Sequence, residues 1–236
     1  MSTYITLTNE LLRRMGEVTL DSTQFDDARN VQGLAKAAIN SSIREILHTT
    51  QELPFTLITQ TQTMTIGTGV YSLPADTSSV DWESFYLKKL AASNNAPARL
   101  TPISYSHYLN QYRSIEENTS TGGYTYPTHV YQTQDFKFGV TPIPDAVYQI
   151  EYKYWRFPNP LAVSTDECVL PSRFDTIIID GGMMYMMLYR SNEQSATIHR
   201  DKFDNGIKSL RRLVNDEPLE VRSTIIKYPS FSPRVF

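Results

Sequence analysis

Side chains able to do chemistry are few in this sequence and stand far apart. The lone cysteine, Cys168, excludes an intrachain disulfide and any zinc site built on two thiolates. The four histidines, His48, His107, His129 and His199, are too scattered to show a metal-ligand spacing. Asp175 and Asp180 are five residues apart. On a helix they diverge by roughly 140°, so they do not make an acid/base pair. Gly67 and Gly69 lack the third glycine and the following helix of a phosphate-cradling loop, and read as a hairpin turn. Cys168 reads as a packed cysteine in a helix-entry loop, and His199 as a packing histidine on an apolar helix stripe. No catalytic residue, metal ligand or cofactor site is predicted.

Tyrosine is the more telling residue type. Tyr124, Tyr126, Tyr131, Tyr148, Tyr152 and Tyr154 crowd one part of the chain. Aromatic platforms bind sugars or single-stranded nucleic acid, yet tyrosine is also enriched at protein interfaces. Few lysines or arginines accompany these rings, which favours the interface, and Tyr124, Tyr126, Tyr131, Tyr152 and Tyr154 are its expected members. A methionine cluster, Met183, Met184, Met186 and Met187, reads mainly as core.

Composition narrows the classes further. Of 236 residues, 40% are hydrophobic and 20% charged, with 15 Tyr, 10 Phe and 2 Trp, enough for a sizeable core. Twenty-two basic against 25 acidic residues leave a formal charge of −3, without the basic excess of a DNA-gripping protein. The N-terminus lacks the basic and apolar regions of a secretory signal. The stretch 177–189 is too short and too interrupted to cross a bilayer. A soluble chain made in a cytoplasm is expected, so the tripeptides beginning at Asn40 and Asn118 carry no weight as glycosylation sites.

Periodicity supplies the elements. Leu7, Leu11, Met15 and Val18 predict a helix over 6–18, with Thr6 or Thr8 as N-cap and Gly16 near its exit. Val31, Ala35, Ile39, Ile43, Ile46 and Leu47 predict a second helix over 27–50, and Pro54 stops it. From 55 to 165 the period becomes two. Tyr148, Ile150, Tyr152 and Tyr154 alternate with polar residues, residues 135–140 form another strand, and 80–90 places Phe85 and Leu87 opposite Trp82 and Tyr86. A short helix is expected over 103–113. Ser172 and Asp175 match a capping box opening a third helix to about 190, apolar nearly all round. Within it Gly181 and Gly182 cost about 1 kcal/mol each relative to Ala and mark a close helix approach or a hinge, the approach being favoured. A fourth helix, 193–214, carries Ala196, His199, Phe203, Ile207, Leu210 and Val214 on one face.

Four amphipathic stripes need one shared core. The expected fold class is therefore α+β, a four-helix bundle formed by the N- and C-terminal helices, with an inserted antiparallel β-sandwich or barrel-like domain. The bundle takes 1–53 and 166–217, the insertion 54–165, and an extended arm 218–236. The arm concentrates Val221, Ile225, Ile226, Tyr228, Phe231, Val235 and Phe236 in a span too short to form its own core. It is expected to dock on another chain, by strand addition or by placing aromatics in a groove.

Four segments carry a family resemblance: Tyr4 to Glu17; Lys36 to Ile46 with Glu52-Leu-Pro-Phe55; Phe138-Gly-Val-Thr-Pro-Ile-Pro-Asp145; and Leu170-Pro-Ser-Arg-Phe-Asp175 continuing to Asp180-Gly-Gly182. In combination they resemble the head-to-tail adaptors of short-tailed bacteriophages, of the tail tubular protein A type, in particular those of podoviruses with elongated heads. The resemblance implies a non-enzymatic virion protein, made in the host cytoplasm, forming a ring of typically twelve copies. Its partners would be the portal protein, the tail nozzle protein, its own copies and neighbouring tail fibre proteins, with genomic DNA passing through the lumen. A carbohydrate-binding β module on a helical stalk is the alternative, supported only by the tyrosines, and a hydrolase ranks last.

Overall fold

The computed structural model describes residues 1–50, 52–88, 98–118 and 123–214. The expected arm, with Val221, Ile225, Ile226, Tyr228, Phe231, Val235 and Phe236, lies outside the described residues. Among those described, the chain is a mixed α+β protein of six α-helices and two four-stranded sheets. In order these are α1 (Tyr4–Arg14), α2 (Asn30–Thr49), β1 (Leu57–Met64), β2 (Val70–Ser72), β3 (Thr77–Lys88), β4 (Ala98–Arg99) and β5 (Thr101–Ile103). They continue with α3 (Tyr105–Gln111), α4 (Arg113–Asn118), β6 (His129–Gln132), β7 (Lys137–Thr141), β8 (Tyr148–Arg156), α5 (Asp175–Tyr189) and α6 (Glu193–Val214).

The long helices form because their apolar stripes find one another. Leu7, Leu11 and Leu12 of α1, Ala35, Ile39, Ile43 and Ile46 of α2, Ile178 and Met186 of α5, and Phe203, Ile207 and Leu210 of α6 belong to one buried cluster. α5 is central and packs on α1, α2 and α6. Its two glycines permit this approach. A Cβ on Gly181 would collide with Ser42 Oγ and lie 2.7 Å from Phe203 Cε2, and one on Gly182 would lie 3.1 Å from Leu11 Cδ2. The glycine pair is thus a packing device.

Helix ends differ in detail from the sequence expectation. Thr6 and Thr8 are not N-caps: α1 begins at Tyr4, and the buried Thr8 hydroxyl donates to Tyr4 O within the helix. Val18 is 76% exposed, because α1 has already ended in a Schellman turn. There Gly16 takes φ +73°, Gly16 N–H donates to Arg13 O and Glu17 N–H to Leu12 O. The Ser172–Asp175 capping box does not form. A 3-10 turn, Ser172–Phe174, precedes α5, and the Asp175 carboxylate accepts from the Ser2 hydroxyl instead.

The strands assemble as two sheets, of order β1-β8-β3-β4 and β2-β7-β6-β5. Their facing sides share a second core of Met64, Tyr71, Phe85, Leu87, Leu100, Val130, Phe138, Val140, Tyr148, Ile150, Tyr152 and Tyr154. Rings stack through its middle: Phe85 lies 4.8 Å from Tyr152 with planes 5° apart, and Trp82 lies 5.5 Å from Phe85 at 8°. Trp82 and Phe85 therefore share a face, contrary to simple alternation. The register between β3 and β8 breaks between Asp81 and Tyr86, where Asp81 Oδ1 accepts from Glu83 N–H and Ser84 Oγ from Lys153 N–H. That bulge turns Trp82 inward.

Two connections also depart from expectation. Gly67-Thr68-Gly69 does not close a hairpin, since β1 and β2 lie in different sheets. And the sheets are not wholly antiparallel: β5 runs parallel to β6, with α3 and α4 in the crossover that parallel pairing demands.

Residues 157–170 return along the helices. Phe157 and Leu161 pack against the helical core, to which Cys168 and Leu170 belong. Asn40 brackets this limb, donating to Leu161 O at 2.9 Å and accepting from Leu161 N–H at 3.0 Å. Tyr4 N–H donates to Asp166 O at 2.8 Å.

Candidate functional site

The residues with reactive side chains all have structural surroundings. Cys168 is fully buried, and burial pushes its thiol up to about 11, so it stays protonated near neutrality. His199 Nδ1 on α6 lies 3.7 Å from Asp180 Oδ1 on α5, and Arg14 of α1 reaches the same carboxylate at 3.5 Å. This group ties three helices together. His48 packs against Phe157, and His107 and His129 contact Tyr112. Burial, then the neighbouring His107, lowers the pKa of His129. Among the described residues no three of His, Cys, Asp or Glu converge as metal ligands, and no helix is long and apolar enough to cross a membrane.

The tyrosines do not form one surface. Tyr152 and Tyr154 are buried between the sheets, with hydroxyls directed at Gln62 and Asp76. Tyr131 is buried on the outer side of the second sheet, where its ring fills the space that a Cβ at Gly139 would need. Tyr108 of α3 stacks on Tyr131 at 4.0 Å and Tyr105 lies 6.0 Å away, so α3 roofs it. Burial is the first cause that raises the pKa of the Tyr131, Tyr152 and Tyr154 phenols, Tyr152 to about 12. Tyr126 is half-buried against Tyr148 at 5.5 Å, and Tyr124 alone of the five is exposed, at 43%. The expected five-tyrosine interface is therefore corrected: Tyr131, Tyr152 and Tyr154 hold the fold together. A sugar-binding platform made of these rings has no surface to work from.

One group of exposed apolar side chains lies at one end of the β region. Ile66, Val70, Tyr124 and Val147 are each more than 40% exposed. Tyr124 packs on Gly67, Gly67 N–H donates to Pro144 O, and Met64 pairs with Tyr148 next to Val147, which brings these loops together. β8 runs from Tyr148 at this end to Arg156, where the chain turns back along the helices. The apolar tip is thus at the end of the sheets away from the helical core.

At the opposite end, where β8 meets α2, lies a cavity of about 270 Å³. It is lined by Arg44, Asp76, Arg156, Phe157, Leu161 and Glu167 among others. Its charges are balanced, and its floor is the limb that joins sheets to helices.

A family model described as SU10 adaptor protein matches residues 2–222 of the chain. No curated protein matches it.

Proposed function

Because the chain belongs to the SU10 adaptor protein family, a phage adaptor family whose members have a structural role in the virion, we propose that it is a head-to-tail adaptor of a short-tailed phage. In this reading copies of the chain, twelve in number, form a ring that joins the portal protein to the tail nozzle. Tail fibre proteins adjoin the ring, and genomic DNA passes through its lumen without sequence-specific contact. The observation that carries the reading is the length of the family match, 2–222, which runs through helices and sheets alike.

The architecture suits such a part. We read α1, α2, α5 and α6 as a four-helix bundle into which a two-sheet β unit is inserted, each with its own core. The bundle faces the portal, and the apolar tip at Ile66, Tyr124 and Val147 faces the tail. A formal charge of −3 lets DNA slide, whereas a basic lining would hold it through counterion release. Electron microscopy of the protein mixed with portal complexes of the same phage tests this. A collar of density beneath the portal is expected, and portals that stay bare at saturating protein overturn it.

A further inference from the structure

The hairpin that joins β6 to β7 turns through Gln134, Asp135 and Phe136, closed by Thr133 N–H donating to Lys137 O at 2.9 Å. The last residue of such a three-residue loop takes a left-handed backbone, and glycine suits it because it adopts that backbone at no steric cost. Here the residue is Phe136, at φ +52°. A bulky side chain in that region is strained. Burial of the ring would offset the strain, yet Phe136 is 75% exposed, more than any other described Phe, Tyr or Trp. Within the single chain nothing is gained by phenylalanine at this position. The hairpin holds an apolar ring outward at the cost of its own backbone.

A receptor of matching chemistry lies on the same chain. Trp82, Pro102, Ile103, Tyr105, Gln132 and Gln134 are among the residues lining a cleft of about 400 Å³, and no residue of that lining is charged. An enclosed space of about 150 Å³ already holds a benzene ring, so the cleft has room for a phenylalanine side chain and part of the backbone that carries it. Phe136 does not fill the cleft of its own chain, since it is exposed and forms no part of the lining. The charges beside it, Asp135 and Lys137, cancel, so the hairpin tip brings no net charge to an uncharged cleft. We propose that Phe136 inserts into the cleft at Trp82, Ile103 and Tyr105 of a second copy of this chain. Ring and cleft are different patches, so the contact is heterologous, the head-to-tail type from which rings are built. The inference deepens the adaptor reading and rests on it for the assembled state in which the copies meet.

Photocrosslinking tests it. A full-length chain with p-benzoylphenylalanine at position 136 keeps an aromatic ring at the tip. It is mixed with isotope-labelled unmodified chain, assembled on portals and irradiated. Adducts that join position 136 to labelled peptides holding Trp82, 102–105 or 132–134 are expected. They should disappear when the labelled chain carries Gln132→Lys, an exposed position that puts a charge into the cleft. Adducts within one chain, to the portal or to another surface of the second copy overturn the contact, as does a collar without adducts. Phe136→Gly gives a second readout. Relief of the backbone strain should raise the denaturant midpoint of the single chain, whereas about tenfold more protein should be needed to fill the portal, the loss that follows from leaving a large aromatic side chain unburied. A portal filled as readily as before overturns the contact and spares the adaptor reading. If the unmodified chain forms no collar, the adaptor reading fails. The contact is then judged by crosslinking of concentrated protein alone, where labelled cleft adducts support it and their absence overturns it.

Discussion

Gly181 sits where α5 touches both α2 and α6, and a single methyl group there meets Ser42 Oγ and the Phe203 ring. Ser42 Oγ also donates to Ile178 O at 2.9 Å, so moving it leaves a buried hydroxyl without its acceptor. Alanine gains about 1 kcal/mol in helix propensity, but overpacking costs about 1–3 kcal/mol and the displaced hydrogen bond adds to that. Gly181→Ala is expected to destabilise the chain by about 1–2 kcal/mol net, read as a lower denaturant midpoint; an unchanged midpoint would mean that the helices separate freely. Buried phenols offer a second test. Burial pushes Tyr4 and Tyr152 up to about 12, while unfolded tyrosines ionise near 10. Between these values the unfolded state holds fewer protons, so stability is full below about pH 10 and falls as pH rises toward 12. Phenolate absorbance from these two should appear only together with loss of native circular dichroism, compared against Tyr4→Phe and Tyr152→Phe. That Tyr152 and Tyr154 are core was not legible in the sequence, because an alternating run of tyrosines fits a buried face and an interface equally.

At the scale of elements, legibility followed the range of the forces involved. α6 was expected at 193–214 and is Glu193–Val214, because a long amphipathic stripe needs only its own residues to be seen. The capping box failed because Ser2, 173 residues away, takes the Asp175 carboxylate. The inward turn of Trp82 was hidden because a bulge belongs to a pair of strands; Lys153, which bonds to Ser84, is 69 residues distant. The bulge makes a prediction of its own. Phe85 is held between Trp82 and Tyr152 and touches Phe138 edge-on at 5.3 Å. Phe85→Ala should cost about 3–5 kcal/mol in chemical denaturation monitored by tryptophan fluorescence. A cost below 1 kcal/mol, roughly that of a surface change, would show that the stack contributes little to the β region.

For the whole molecule, the division between helices and sheets can be placed by where each core ends. The helical core includes Leu53 and draws on Phe55, Phe157 and Leu161, while Met64 and Tyr154 belong to the other core. The limb 157–170 is fastened to the helices by Asn40, by Tyr4 N–H on Asp166 O and by the Cys168 N–H on Ser2 O. Asp166 in turn accepts from the N–H groups of Ala162 and Val163, which hold its carboxyl below the usual range. The helices should therefore tolerate loss of the sheets only if this limb stays. A chain in which a short flexible linker replaces 57–156 is expected to keep cooperative, helical thermal unfolding. Extending the replacement to 54–165 removes Phe55, Phe157 and Leu161 and leaves the Asn40 amide only the Tyr4 hydroxyl of its partners, so its midpoint should be markedly lower. If the shorter replacement already abolishes helical circular dichroism, the helices depend on the sheets and the two cores fold as one. If both replacements melt alike, the limb contributes nothing to the helical core, and the boundary lies at 165 instead of 156.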